Sequence, residues 1–149
     1  MIGMIRASDM KSEAVYCKPE STAIEFVVKG LNDNFRDYVP CLPIGIFKGD
    51  KLIGGVLIND FRDGVDCWLT IYTSTPKWAT RRVLRYVFGI VFNLIKARRC
   101  SVFISESNKK SLDMCLRLGF KHEGMLREYR DNGENCYVLG MLKKECIWL

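Results

Sequence analysis

Cys100-Ser101-Val102-Phe103-Ile104-Ser105-Glu106-Ser107-Asn108-Lys109-Lys110-Ser111-Leu112-Asp113-Met114-Cys115-Leu116-Arg117-Leu118-Gly119-Phe120 is the stretch whose reading decides the fold. Cys100 to Ser105 is apolar enough for a strand, and it runs into a polar turn. Asn108 is placed to cap a helix over 108–118, and Leu112, Cys115, Leu116 and Leu118 give that helix an apolar face. Gly119 supplies the left-handed stop, and Phe120 the apolar contact that accompanies it. The order is strand, capped helix, glycine stop, new strand.

Working outward, residues 12–17 read as a short first strand. Ser21 is placed to cap a helix with Ile24, Val27, Val28 and Leu31 on one face. Asn32 to Pro43 has no clear period and reads as loop with a helical turn. A hairpin follows: Ile44 to Phe47, a turn over Lys48-Gly49-Asp50-Lys51, then Leu52 to Ile58. Gly54-Gly55 points to a bulge or a close backbone approach. Asp63-Gly64 turns the chain into a strand over 65–73. A long helix is predicted from Thr80 to Arg98, with Val83, Leu84, Val87, Phe88, Val91, Leu94 and Ile95 on its apolar face. A last hairpin, 120–129 with 135–143, turns at Asp131-Asn132-Gly133. The expectation is an α/β fold with a mixed sheet, strands 65–73 and 100–105 running parallel around the long helix, in a single domain over 1–149.

Bulk properties narrow the class. The 149 residues fit one domain; 48% hydrophobic and 27% charged residues are globular values. No apolar run approaches the ~18 residues of a membrane span. The start, Met1-Ile2-Gly3-Met4-Ile5-Arg6, turns polar too soon for a secretory signal, so a cytoplasmic protein with no membrane partner is expected. Seven cysteines without a CxxC pair fit reduced, buried thiols. With His122 the only histidine, a His-dependent zinc site or a Cys/His acyl-enzyme is disfavoured, and no metal is expected. The net charge of +6 favours an anionic ligand, either nucleic acid or a phosphorylated cofactor.

The turn before the long helix is the natural anion site. Amides at a helix N-terminus point outward, and Arg81, Arg82 and Arg85 crowd first turns where the helix dipole disfavours cations. A docked anion offsets that conflict; the bland alternative is a helix start with solvated arginines. Acids near the strand ends are Asp66 and Glu106. Asp66, Trp68, Thr70 and Tyr72 share one face of their strand.

The spacing Asn108-x-x-Ser111, with Gly119-Phe120 eleven and twelve residues after the Asn, resembles the C-terminal signature of the GNAT N-acetyltransferases. Lys121-His122-Glu123-Gly124-Met125-Leu126-Arg127-Glu128 is similar to the GF-x-x-EG-x-L-R-E run of the branch that includes the ribosomal-protein N-terminal acetyltransferases. Lys77-Trp78-Ala79-Thr80-Arg81 resembles the corresponding turn of small bacteriophage-encoded members. The resemblance covers most of 42–149 and implies acetyl-CoA as co-substrate. It implies transfer to a primary amine on a protein N-terminus, a lysine or a small molecule, in a monomer or homodimer. The family's Gly-x-Gly positions fall on Ala79-Thr80-Arg81, so the glycines are missing. Arg81 and Arg82, with Lys77 to Thr80, are the implied pyrophosphate contacts, and Asn108 and Ser111 the implied contacts on the next helix. A plain N-cap satisfies Asn108 equally well. Donors around Ile71, Tyr72 and Thr73 are implied to hold the pantetheine arm and polarise the acetyl carbonyl.

The family's thiolate-protonating Tyr falls on Cys115, where a buried packing cysteine is the favoured reading. Tyr72 is an alternative donor, and Asp66 and Glu106 are the candidate bases. Two other classes stay open: a non-catalytic virion or regulatory component, and a nucleic-acid-binding or modifying protein on the same fold. No nucleic-acid motif favours the latter.

Overall fold

The structure, a computed structural model, describes residues 14–32, 38 and 40–149. Its strands are β1 (Val15–Pro19), β2 (Cys41–Lys48), β3 (Lys51–Arg62), β4 (Asp66–Thr73), β5 (Arg99–Ser105), β6 (Lys121–Leu126) and β7 (Cys136–Leu142). Its α-helices are α1 (Thr22–Leu31), α2 (Arg81–Gly89) and α3 (Lys109–Leu118). The strands form one mixed sheet in the order β1-β2-β3-β4-β5-β7-β6. β4 and β5 run parallel in the register Trp68↔Ser101, as the crossover through a helix predicts. The described residues gather into two compact units, one up to Asn59 with Ile71–Val87, the other Asp60–Thr70 with Phe88–Leu149.

In the first unit β1, β2 and β3 are antiparallel neighbours. The first strand lies at 15–19 rather than 12–17, and residues 12 and 13 fall outside the described ones. Cys41 to Pro43, read as loop, belong to β2; those of residues 33–39 read as loop fall outside the description apart from Tyr38. The β2–β3 turn needs Gly49, whose φ is 62°. Both readings of Gly54-Gly55 hold. The register shifts between Ile46 and Phe47, and a Cβ on Gly54 would lie 2.7 Å from Thr73 Cγ2. A Cβ on Gly55 would lie 2.6 Å from Val27 Cγ2, so the glycine lets α1 press onto β3. Ser21 sits at the N-cap of α1 but in helical geometry, with no side-chain cap bond. Its carbonyl accepts the Ile24 N–H instead. Ala23, Val27 and Val28 form the buried face of α1. Ile44, Ile46, Val56, Leu57, Ile58, Trp78, Val83, Leu84 and Val87 complete this core. Each such side chain contributes roughly 1.5–3 kcal/mol on burial.

The second unit is built on β5, β7 and β6, with α3 and the end of the long helix. α2 passes at Ile90–Leu94 into a π-helical turn, closed by Ile95 N–H donating to the Ile90 carbonyl at 2.8 Å. The predicted helix to Arg98 therefore ends early. Lys96 adopts φ 61°, and no glycine or asparagine marks the stop. The wider turn brings Val91 and Phe92 inward together and leaves Leu94 71% exposed, correcting its place on the apolar face. Phe88 stacks on Phe92 and meets Phe120, which seats α2's end against the strand after α3. In the last hairpin the strands are shorter than predicted. Glu128 takes φ 53°, and Gly133 (φ 83°) donates to the Arg130 carbonyl in the turn expected at 131–133.

Candidate active site

In the first unit, β4 ends at Thr73 and a 3-10 turn over Pro76–Trp78 leads into α2. Ser74 anchors this turn: its N–H and hydroxyl both donate to the Ile53 carbonyl, at 2.8 and 3.1 Å. Thr75 caps the 3-10 turn by accepting the Lys77 N–H at 3.2 Å. Thr80 caps α2, its hydroxyl accepting the Val83 N–H at 3.3 Å and its carbonyl the Leu84 N–H. The Thr80 N–H is taken by the Trp78 carbonyl at 2.8 Å. The amides of this turn are thus less available than a bare helix start implies. Those of Arg81 and Arg82 lie in the first turn of α2, ahead of any intrahelical acceptor. Lys77, Arg81, Arg82 and Arg85 are exposed around that end, so fixed partial charge and cationic side chains meet at one place. Trp78 is 2% exposed, and its side chain belongs to the core.

Ile71, Tyr72 and Thr73 end β4 half-buried. The Tyr72 ring lies against Phe26, centroids 5.7 Å apart, and over Gly30, where a Cβ would come within 2.1 Å of the ring. Gly30 in the last turn of α1 is thus the space the Tyr72 ring occupies.

In the second unit, Asn108 Oδ1 accepts the Ser111 N–H at 3.2 Å and caps α3. Gly119 (φ 113°) ends it: its N–H donates to Leu116 O and that of Phe120 to Cys115 O, the paired bonds expected of a glycine stop. The Leu118 carbonyl accepts the Trp148 indole N–H at 2.8 Å. Cys115 and Leu118 are buried, but Leu116 is 45% exposed, a correction to the predicted face. At about 100° per residue, Cys115 and Leu118 lie about 60° apart, and Leu116 turns about 100° from the first and about 160° from the second, away from the buried face. Burial pushes the Cys115 thiol up to about 12, so it releases a proton less readily than an ordinary cysteine.

Asp66 and Glu106 sit at opposite ends of the β4–β5 pair. Asp66, 8% exposed, accepts the Ser101 hydroxyl at 3.0 Å and lies 3.6 Å from Arg99 Nε. Arg99 in turn grips Glu123 with two bonds, at 2.6 and 3.3 Å, over Gly140, where a Cβ would meet both partners at 2.5 Å. Asp66 is thereby committed to a chain of partners crossing from β4 to β6. Such a group is held for structure rather than presented to a substrate. Glu106 lies beyond the carboxyl end of β5, and its Oε2 is buried without a hydrogen-bond partner. It lines a cavity of about 400 Å³ with Ser107, Lys109, Gly133, Glu134 and Asn135. Arg99, Ser101 and Glu134 escape a sequence reading because strand register and loop return, not spacing, bring them in. Among the described residues no group of three His, Cys, Asp or Glu is placed to hold a metal.

The fold has counterparts among solved structures. The IAA acetyltransferase of Bacillus cereus superposes with a TM-score of 0.74 at 13% identity, over 87% of this chain and 99% of that one. The N152L mutant of spermidine N-acetyltransferase SpeG from Vibrio cholerae gives 0.69 at 13% identity, over 91% and 96%. The fold is the GNAT N-acetyltransferase fold. No family model and no curated protein matches the sequence. Within the GNAT fold the β4–α2 turn and the β5–α3 turn are the two places where helix N-termini follow the parallel strands. They are also where the sequence places its basic cluster and its capping asparagine.

Proposed function

We propose that this protein is an acetyl-CoA-dependent N-acetyltransferase that passes the acetyl group directly to a primary amine. The observation that carries this reading is the start of α2, where outward amides, a helix dipole and exposed Arg82 and Arg85 converge after the end of β4 on a GNAT fold. The residues present suit a pyrophosphate despite the missing glycines. Ala79 is small, Thr80 fixes the helix start, and Lys77, Arg81 and Arg82 supply the charge that glycine amides alone would not. On α3 the cap holds Asn108 Oδ1 and leaves Nδ2 as a donor.

In the reaction the neutral amine nitrogen attacks the thioester carbonyl carbon, forming the C–N bond as the carbonyl pair moves onto oxygen. N–H groups around Ile71, Tyr72 and Thr73 stabilise that oxyanion. Collapse breaks the C–S bond, and the sulfur leaves as thiolate. The proton shed by nitrogen passes to Glu106 or a water it orders, and a proton returns to sulfur from Tyr72 or solvent. Asp66 and Cys115 take no part, the first being tied to Ser101 and Arg99, the second buried with its proton firmly held. The acceptor can be a protein N-terminus or lysine, as the branch resemblance implies, or a small amine. Spermidine is the acceptor in the name of one structural neighbour.

The test is a thermal shift with acetyl-CoA, followed by release of free thiol with a panel of peptides and small amines. Binding at 100 times Kd stabilises by about 2.7 kcal/mol. Absence of any shift at millimolar acetyl-CoA in folded protein would sink the enzyme reading. A shift without thiol release from any amine favours the non-catalytic alternative, to which the replaced glycines and Cys115 belong.

A further inference from the structure

Asn132-Gly133 is the only Asn-Gly pair among the seven asparagines of this chain, and it lies exposed in the turn between β6 and β7. Such a pair carries a reaction of its own. The backbone nitrogen after the asparagine attacks the side-chain amide carbon, a C–N bond forms, and Nδ2 leaves as ammonia with the amide proton. Water then opens the cyclic imide at either carbonyl, to aspartate or to isoaspartate. Glycine favours the attack because no Cβ crowds the nitrogen.

In the folded turn each reacting atom is already engaged. Asn132 Nδ2, the leaving group, donates to the Glu134 carboxylate at 2.8 Å. Asn132 Oδ1 accepts the Glu134 N–H at 2.9 Å. The Gly133 N–H, whose nitrogen must attack, donates to the Arg130 carbonyl at 2.8 Å, with Gly133 held at φ 83°. Ring closure requires the side chain to leave both Glu134 contacts and the Gly133 amide to leave its acceptor. The brace is itself supported. Donors from Ser107 and Asn132 hold the Glu134 carboxyl below the usual carboxylate range, so it is an ionised acceptor at neutral pH. The Arg130 N–H donates to the Glu134 carbonyl at 3.1 Å, and the Glu106 N–H to the Asn135 carbonyl at 3.0 Å, which ties the turn to the end of β5.

Conversion removes the brace that delays it. Aspartate at 132 has no N–H to offer Glu134, and two carboxylates then meet where a donor and an acceptor had met. Isoaspartate in addition routes the backbone through the side-chain carbons and lengthens the turn.

We propose that Asn132 is a modification site, converted through Gly133 to aspartate or isoaspartate, which the Glu134 brace holds closed in the folded protein and which cannot re-form that brace once converted. Molecules whose turn has opened thus acquire a permanent mark. The site does not rest on the transferase reading.

Peptide mass spectrometry of the intact chain, held in mildly alkaline buffer with and without urea, tests this. A carboxyl methyltransferase specific for isoaspartate counts that product. Asn132 is expected to convert about tenfold or more faster in urea than folded, since a braced group reacts only while its surroundings are open. Asn135, in the same loop but followed by Cys136, is the internal control and is expected to remain an amide while Asn132 converts. Glu134→Ala removes the acceptor of Nδ2. It is expected to convert several-fold faster than the parent when folded, and at the parent's rate in urea. Glu134→Gln, which keeps an acceptor oxygen, is expected to stay near the parent. Melting curves establish that each variant is folded, and the parent's own ratio of urea to folded rates needs no variant. Asn132→Asp, the aspartyl product made directly, is expected to be cut by trypsin after Arg127 and Arg130 faster than the parent. Equal rates folded and in urea, or a folded Glu134→Ala no faster than the parent, overturn the brace. Conversion without isoaspartate, or Asn135 converting as fast as Asn132, overturns the route through Gly133. Equal trypsin rates in Asn132→Asp and the parent overturn the loss of the brace on conversion.

Discussion

Alanine in place of glycine ordinarily strengthens a helix interior by up to about 1 kcal/mol. At position 30 the expected sign is opposite, because the new Cβ would lie 2.1 Å from the Tyr72 ring. Gly30→Ala is expected to destabilise by about 1–3 kcal/mol, the scale of overpacking. Urea unfolding checks this, and the same change beside Tyr72→Ala is expected to lose most of its cost. A Gly30→Ala protein as stable as the parent would mean that Tyr72 does not fill that space. Arg82 makes a second prediction at this scale. Arg82→Ala removes an exposed cation from the start of α2, and a charge-assisted phosphate bond is worth about 1.5–3 kcal/mol. The Kd for acetyl-CoA is expected to rise about 10- to 100-fold with Tm little changed; an unaltered Kd would detach the basic turn from phosphate binding.

α3 is the element most legible in the sequence, since every signal that builds it is local. Asn108, Gly119 and Phe120 each act within a turn of the helix, and the structure shows all three bonds. The end of α2 is illegible for the converse reason. Its apolar period runs on to Ile95, while the actual stop is Lys96 in a left-handed conformation that lysine does not advertise. Holding a non-glycine residue there costs roughly 1–2 kcal/mol. Lys96→Gly is therefore expected to stabilise by about 0.5–1 kcal/mol, read as a higher urea midpoint with an unchanged slope. A loss of stability would mean that the lysine side chain contributes more than its backbone strain costs. The candidate site divides in the same way. The basic turn and the capping asparagine follow from spacing. The commitment of Asp66 to Ser101 and Arg99, and the approach of Glu134 to Glu106, depend on register and on a loop returning from some thirty residues away.

Over the whole molecule the thiols set a limit at high pH. Burial pushes Cys115 from 9.0 to about 12 and Cys17 to about 11, and it raises Cys100 well above its ordinary value. These groups bind their protons more tightly folded than unfolded. Their contribution to stability is therefore complete below pH 9 and is lost as pH rises towards the folded values. For Cys115 the loss is on the order of 4 kcal/mol across that window. Urea midpoints are expected to fall between pH 9 and 11 and to fall less in Cys115→Ala, once its lower starting stability is subtracted. A flat profile would mean that the thiol is more hydrated than its burial implies. The distribution of the same sulfurs has another use. Cys67, Cys100, Cys115 and Cys136 are buried, and all four belong to the second unit; Cys17 and Cys41, half-buried, belong to the first. Under native conditions an alkylating reagent reaches a sealed thiol only when its surroundings open. Peptide-resolved labelling rates of those four therefore give the second unit a native clock, timing its breathing without denaturant, against the half-buried thiols of the first as a reference for direct reaction.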